Sequence, residues 1–373
     1  EKGKSKQTKE EAALVELLSL ASGQPGMREL VANEAGEWLE GLLERRGEGM
    51  GRMRAMAGVG IVKLRLGKKE STMTTGLPPS PAQPERPTRW SLEDIATLFV
   101  DLVVKTKQEE EDEKTLLSCL EGLAYLTLTP SRELKRISSR PQFLTRLFTL
   151  DGKKARSAPR DFAVATLLDH LTRFPSPEDA QSDAAQVERL KRFASAGRKA
   201  KDVAERESTE DITARVSLIV QHTPSPIPLI RLFCLSPSLQ TRRLAGSILH
   251  SFVTPQPLRG QLLQSGVARL LLSLIRNIPT PFSVNHDLSP VQALSKLLIT
   301  ANPLLVFGPT PSSPLLLEAT TALTLPFNTL SQTPLLAIFE SLMALTNIAS
   351  LDPELTDKIA RLSLRDRPAT SLL

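Results

Sequence analysis

One stretch of the chain, residues 240–277, has the pattern of three helices in succession, and this feature constrains the fold most. Apolar residues recur at spacings of three and four from Leu244 to Phe252, two prolines follow, and a short helix is predicted over residues 258–264. Gly266 then interrupts the chain before a third apolar stripe. Three short helices in about 40 residues are typical of an armadillo unit. Each such unit packs mainly against its neighbours in a stack.

The rest of the 373-residue chain has the same character, with helical patterns separated by prolines and without clear strand alternation. At about 40 to 47 residues per armadillo or HEAT-type unit, the length holds roughly eight or nine units. The 28 prolines then mark corners between helices, because the residue before a proline is disfavoured in the helical conformation. The sequence therefore predicts an all-α, armadillo/HEAT-like, right-handed superhelical solenoid.

A proline-rich segment, residues 78–90, lacks apolar periodicity and is predicted to be an exposed linker. It would separate N-terminal helical repeats in residues 1–77 from a second repeat domain in residues 91–373. Ser91 is a candidate N-cap for the first helix of that second domain, with Asp94 three residues later.

No arrangement of residues in the sequence predicts an active site or a cofactor site. The four histidines are dispersed, and none stands at a metal-ligand spacing from another histidine or a cysteine. Gly47, Gly49 and Gly51 lack the preceding strand and the following Gly-Lys-Ser/Thr of a phosphate-binding loop. We therefore predict a protein without catalytic residues, bound metal or cofactor.

Charge and apolar content limit the predicted partners. The 47 lysines and arginines against 41 aspartates and glutamates give a mild, interspersed net charge of +6, and aromatic residues for base stacking are few, so nucleic acid is not a predicted partner. No apolar run reaches the roughly 20 residues that span a bilayer, so no membrane partner is predicted either. Cys119 and Cys234 lie within apolar patterns and are predicted to be buried, reduced thiols of a cytoplasmic protein.

Residues 335–350 predict a helix with two apolar stripes, both of which we expect to be buried. Glu340, Ala344 and Asn347 form the remaining line and are expected on the opposite side, facing a groove. The two stripes consist of Leu335, Ile338, Leu342, Leu345 and Ala349, and of Leu336, Phe339 and Met343.

Three motifs carry a resemblance to one family. Residues 122–128 read Gly-Leu-Ala-Tyr-Leu-Thr-Leu, residues 293–303 read Ala-Leu-Ser-Lys-Leu-Leu-Ile-Thr-Ala-Asn-Pro, and residues 339–350 read Phe-Glu-Ser-Leu-Met-Ala-Leu-Thr-Asn-Ile-Ala-Ser. These segments resemble signature segments of the UCS-domain myosin chaperones and occur in that family's order. Other segments of the chain resemble the same family more weakly, so the resemblance spans most of residues 50–360.

The resemblance implies a non-enzymatic co-chaperone that binds the myosin motor domain and assists its folding, stability and assembly through the groove of the solenoid. The mixed charges of residues 187–215 by themselves indicate a solvated loop or helix. The resemblance implies instead that this stretch is a mobile loop that contacts the client, with Arg198, Lys199, Lys201 and Arg206 as the contact residues. Family members continue with further C-terminal repeats, which we expect to be missing here. No tetratricopeptide repeat is visible, so direct docking of a heat-shock chaperone stays open, as does the oligomeric state.

Three polar residues are candidates for the groove. Asn347 is the leading one, because a side-chain amide both donates and accepts hydrogen bonds and can clamp the main chain of a bound segment. Glu340 is a second client contact, and Asn302 ranks last because it most simply ends a helix before Pro303. The alternatives are structural: Asn347 ties its own repeat together, and Glu340 pairs with a neighbouring arginine.

A second functional hypothesis follows from the helical pattern alone. The chain would then be an armadillo scaffold or transport adaptor that binds other extended or acidic peptides and has no chaperone activity.

Overall fold

The computed structural model describes residues 2–47, 49–74, 89–105, 110–150, 157–175, 207–277, 287–310, 312–329, 333–361, 363–364 and 367–368. Most of these residues are helical, as predicted, and two short strands, β1 (Ser363–Leu364) and β2 (Arg367–Pro368), pair antiparallel. The α-helices are α1 (Lys2–Ala21), α2 (Arg28–Glu44), α3 (Gly51–Thr74), α4 (Leu92–Lys105), α5 (Glu110–Leu128), α6 (Arg132–Ile137), α7 (Pro141–Phe148), α8 (Ala158–Thr172), α9 (Thr209–Val220), α10 (Ile227–Cys234), α11 (Leu239–Val253), α12 (Arg259–Gln264), α13 (Val267–Arg276), α14 (Ser289–Leu298), α15 (Pro303–Phe307), α16 (Pro314–Leu323), α17 (Leu335–Ala349) and α18 (Pro353–Arg361).

The chain divides into two compact units. The first comprises Glu1–Leu171 and Ser176–Asp211, and the second comprises Thr172–Pro175 and Ile212–Leu373. The predicted linker lies outside the described residues except at its last two positions. Helix α3, which precedes the linker, packs along α5, which follows it, so the described helices on its two sides belong to one compact unit.

The first unit is built around α3, which packs against α1, α2 and α5. Residues 55–64 of this helix are all buried, which explains why that stretch is apolar on every side except for Lys63. Helix α4 begins where the sequence predicts, because Ser91 and Asp94 cap it reciprocally. The Asp94 backbone N–H donates to the Ser91 hydroxyl at 3.0 Å, and the Ser91 N–H donates to the Asp94 carboxylate at 3.0 Å.

The second unit contains the three-helix block that the sequence predicts in residues 240–277, and the prediction is confirmed. Helix α11 begins after Ser238, whose hydroxyl accepts from the Thr241 N–H at 3.3 Å. A 3₁₀ turn at Gln256–Leu258 leads into α12, and α13 follows. Gly266 separates α12 from α13 with a φ of +78°, a conformation that a side chain would make unfavourable.

Helices α11, α14 and α17 pack side by side in that order within the second unit, and α16 and α18 cover other parts of α17. This row holds the residues of the candidate site. None of the described helices combines the length and apolar content needed to cross a membrane.

The predicted client loop, residues 187–215, is partly corrected by the structure. Its last residues form helix α9, which starts after Ser208, because the Ser208 hydroxyl and the Asp211 carboxylate cap each other. The Glu207 side chain is buried and accepts from Lys135 Nζ at 2.9 Å. The mobile loop implied by the resemblance is therefore wrong for residues 209–215, where the alternative of a helix is observed.

The two cysteines are free and buried, as predicted. Burial in an apolar environment raises the pKa of the Cys119 thiol and raises that of the Cys234 thiol to about 12. Both thiols are therefore protonated and unreactive at neutral pH.

Candidate functional site

Over residues 335–344, helix α17 buries small side chains and exposes four large apolar ones, and Leu345 and Ile348 are buried nearer its C-terminus. Ala337, Ser341 and Ala344 lie on the buried side at spacings of three and four. Because these side chains are small, α14 approaches closely, and the hydroxyls of Ser295 on α14 and Ser341 on α17 lie 2.9 Å apart. The two helices are therefore in close contact at Ser295 and Ser341.

The opposite side of α17 carries four exposed apolar residues, which we call the apolar face: Leu335, Leu336, Phe339 and Met343. Phe339 is 58% exposed and Leu335 is 83% exposed. Single exposed apolar residues are common on protein surfaces, whereas a group of large ones on one helix marks a binding surface. The apolar face is therefore the strongest candidate functional surface of the second unit.

The predicted orientation of α17 is wrong for these positions. All four residues of the apolar face were expected inside and are exposed, whereas Glu340 and Ala344 were expected to face a groove and are buried. Leu345 is buried, as expected. Spacings of three and four fit either orientation, because α17 is apolar on both sides. Over residues 337–344 the signal in the sequence that distinguishes them is side-chain size, since Ala337, Ser341 and Ala344 lie at the contact with α14 and Phe339 and Met343 do not.

Glu340 lies in a buried polar layer between α14 and α17. Its carboxylate accepts from Lys296 Nζ at 2.5 Å and from the Gln292 side-chain amide at 3.0 Å. Only 8% of Glu340 is exposed. The predicted alternative of a structural ion pair is thus observed, with a lysine in place of the expected arginine. Client contact by Glu340 stays a prediction.

Asn347 joins α17 to the end of α14. Its side-chain amide donates to the backbone carbonyls of Leu298 at 2.6 Å and Ala301 at 2.8 Å. The last carbonyls of a helix have no partner within that helix, so Asn347 acts as a cap supplied by the neighbouring helix. This contact supports the predicted structural role, and because Asn347 is half-buried, its contact with a client also stays a prediction.

Asn302 caps a helix, as its place before a proline indicates. Its side-chain oxygen accepts from the Leu304 N–H at 3.0 Å and starts the short helix α15. Client binding by Asn302 stays a prediction, with its side-chain oxygen engaged in this cap.

His250 on α11 lies beside the same polar layer and was not among the predicted site residues. Its Nε2 atom is buried and has no hydrogen-bond partner among the described residues. Burial lowers the pKa of His250 to about 4, and the Lys296 ammonium contributes in the same direction. The imidazole is therefore neutral at physiological pH.

Other predicted features add no chemistry to this site. Arg198, Lys199, Lys201 and Arg206, the predicted client-contact residues of the charged loop, lie outside the described residues. In the part of the chain that the structure describes, no three histidine, cysteine or acidic side chains are close enough to hold a metal ion. An open cleft of about 590 Å³ at the junction of α17 and α18 is lined by residues 349–353 together with Thr356 and Asp357.

Comparison with protein families identifies a match in the N-terminal third of the chain. Residues 1–122 match the family described as UNC45-central, myosin-binding striated muscle assembly central. The matched region covers α1–α4 and most of α5 in the first unit. A search of curated protein sequences finds no significant match to the chain.

Comparison with solved structures identifies the fold. The chain is similar to She4p, with a TM-score of 0.62 and 18% identity, over 94% of this chain and 41% of She4p. It is similar to UNC-45 from Drosophila melanogaster, with a TM-score of 0.61 and 19% identity, over 93% of this chain and 40% of that one. The myosin chaperone UNC-45 from C. elegans, solved with an Hsp90 peptide, gives a TM-score of 0.54 and 17% identity, over 89% of this chain and 35% of that one.

These comparisons confirm the armadillo-like helical solenoid that the sequence predicts. They also confirm the resemblance to the UCS-domain myosin chaperones that the three motifs indicate. The chain spans about two fifths of She4p and of the Drosophila UNC-45.

Proposed function

We propose that this chain, which shares the She4p and UNC-45 fold and matches the myosin-binding UNC45-central family over residues 1–122, is a non-enzymatic co-chaperone of the myosin motor domain. It would bind partly folded motor and assist its folding, stability and assembly. With myosin as its client, the proposed location is the cytoplasm.

The apolar face of α17 is the observation that carries this proposal. A chaperone that acts without nucleotide hydrolysis needs a surface that binds the apolar segments a folding client exposes. The four side chains of the apolar face are large and lie on one side of one helix. They also lie within or beside the motif 339–350, which resembles a signature segment of the UCS-domain chaperones.

The charges around the apolar face favour an apolar client segment. Glu340, the one ionisable residue of α17, is turned inward and neutralised by Lys296. A charged or strongly polar ligand would find no complementary charge on this helix. Burying one large apolar side chain in an interface contributes about 1.5 to 3 kcal/mol, or roughly ten- to more than a hundredfold in affinity.

The experiment is a binding assay with purified myosin motor domain during mild heating, combined with light scattering to follow motor aggregation. We expect the wild-type chain to retain the motor and suppress its aggregation. The variant Phe339→Ser/Met343→Ser should lose binding at least tenfold, because two exposed apolar contacts are removed. Its own unfolding free energy should change by less than about 0.5 kcal/mol per site, because both side chains are already exposed.

A matched control is Leu305→Ser. Leu305 on α15 is 86% exposed in the same unit but is outside the apolar face, so its replacement should leave motor binding unchanged. Equal loss in the control and the double variant would mean that nonspecific stickiness, not the apolar face, retains the motor. A chain that binds other peptides yet never protects the motor would be an adaptor, the second hypothesis.

The predicted charged contacts require a separate test. Arg198, Lys199, Lys201 and Arg206 are proposed to steer an acidic client surface, a contribution that salt screens. Replacing all four by glutamate should slow association at low salt and change it little at high salt, as measured by stopped-flow binding.

A heat-shock chaperone is a second proposed partner, supported by the Hsp90 peptide in the C. elegans UNC-45 structure. Titration of the chain with an Hsp90 peptide, followed by calorimetry, would detect direct docking. Absence of heat at millimolar peptide would limit the proposal to indirect association.

A further inference from the structure

The polar layer beneath the apolar face has an unusual composition for a helix contact. It involves three helices of the second unit, because Lys296 on α14 contacts Glu340 on α17 and His250 on α11 interacts electrostatically with both. Lys296 and Glu340 form a buried ion pair, and the Gln292 side-chain amide donates to the other oxygen of the same carboxylate. Within the described residues, His250 Nε2 is the buried atom of this layer without a hydrogen-bond partner.

The charges that surround the imidazole are balanced. Lys296, Glu340 and Asp287 act on His250 electrostatically, and Arg259, the first residue of α12, interacts with Glu340. Two cations therefore face two anions while His250 is neutral. A proton on His250 adds a third cation to the layer. The Glu340 carboxylate already accepts from Lys296 and Gln292, and an uncompensated buried charge is costly.

We propose that this layer is an acid-sensitive latch, in which proton uptake by His250 loosens α17 from α14 and lowers the affinity of the apolar face for its client. Opening the contact between the two helices hydrates the excess charge. The inference of lowered affinity rests on the proposed function of the apolar face, whereas the opening of α17 does not depend on it.

The connection between the latch and the apolar face is short. Glu340 follows Phe339 directly in the sequence, so the carboxylate that anchors α17 and the ring that extends into solvent share one turn of helix. A shift or rotation of this turn moves Phe339 and Met343 together. The affinity of the apolar face therefore depends on an intact polar layer.

The direction of the pH effect follows from the His250 pKa, which falls from 6.5 to about 4 in the folded chain. A lowered histidine pKa means that the folded state favours the neutral ring. The stabilisation is fully present above pH 6.5 and is lost as the pH falls toward 4. At pH 5.5 the protonation of His250 should favour open over closed α17 by about tenfold relative to pH 7.5.

The test is amide hydrogen exchange of the full chain at pH 7.5 and 5.5, corrected for the intrinsic pH dependence of exchange. In wild type, protection of residues 335–349 should fall about tenfold at pH 5.5. His250→Gln should abolish this fall, and His222→Gln, which removes a different histidine of the same unit, should retain it. If His250→Gln is unfolded at pH 7.5, His250→Leu replaces it, since an apolar side chain suits a desolvated position.

The outcomes separate the two proposals. An equal fall in protection in wild type and in the His250 variant overturns the latch. Binding of motor domain measured at both pH values should weaken about tenfold in wild type and stay constant in the His250 variant. If protection behaves as expected but no variant binds motor even at pH 7.5, the latch stands and the proposed function is wrong.

Discussion

Helix α5 in the first unit and helix α17 in the second carry the same short pattern but bury different faces. Each has a glutamate followed by a small residue, with Leu-Thr five and six positions after the glutamate, at 126–127 and 345–346. Leu120, which precedes Glu121, is fully buried, whereas Phe339, which precedes Glu340, is 58% exposed. The pattern thus specifies a helix, and the neighbouring helices decide which side is covered.

A lysine–glutamate ion pair occurs at both helix contacts, and the two pairs also differ in burial. Lys63 on α3 pairs with Glu121 on α5 at 2.7 Å, and Lys296 on α14 pairs with Glu340 on α17. Both lysines are buried, but 47% of the Glu121 side chain is exposed against 11% for Glu340. Water can therefore solvate one carboxylate if its lysine is removed, and it cannot reach the other.

Lys296→Met gives the largest expected difference between the two helix contacts. It leaves the Glu340 carboxylate buried without its ion-pair partner and should lower the unfolding free energy of the second unit by about 3 to 5 kcal/mol. Lys63→Met should cost about 1 kcal/mol or less in the first unit, because Glu121 stays hydrated. Urea denaturation of the full chain, followed by site-specific probes in each unit, measures both.

A double variant checks the physical reason. Lys296→Met/Glu340→Met removes both charges together and should recover most of the lost stability. Equal losses from Lys63→Met and Lys296→Met would show that burial of the carboxylate is not what distinguishes the two pairs.

The residue after each glutamate gives the next largest effect. A Cβ atom at Gly122 would lie 2.3 Å from the buried Phe99 ring, so Gly122→Ser should destabilise the first unit by about 1 to 3 kcal/mol. Ser341→Ala, at the matching position of α17, loses only its hydrogen bond to Ser295 and should cost about 1 kcal/mol. Thermal unfolding by circular dichroism compares the two, and Gly41→Ala serves as control, since nothing lies within 4 Å of its Cβ.

The position seven residues after each glutamate gives the smallest effect. Asn347→Leu introduces the residue that α5 carries at Leu128 and removes two hydrogen bonds to the end of α14, so we expect a loss of about 1 to 2 kcal/mol. The reciprocal change Leu128→Asn, at a residue that is 61% exposed, should stay within about 0.5 kcal/mol. Denaturation midpoints decide between them, and a neutral Asn347→Leu would restore the groove-facing interpretation of Asn347.

The fold was largely predictable because its signals are local. The Ser91–Asp94 cap, the Gly266 turn and the three helices of residues 240–277 each depend on residues within a few positions of one another. The charged stretch was predicted less well, because the ion pair between Glu207 and Lys135 joins residues far apart in the sequence. No local sequence pattern predicts that Glu207 pairs with a residue so far away in the chain.

The sequence by itself determined that this chain forms amphipathic helices with corners at prolines and a glycine, because backbone conformation is set by neighbours along the chain. It also carried the motifs of a family. Only the tertiary structure decided that Glu340 and Asn347 turn toward α14 and that Phe339 turns to solvent. The choice between two apolar sides of one helix depends on how closely another helix can approach, which is a property of both helices together.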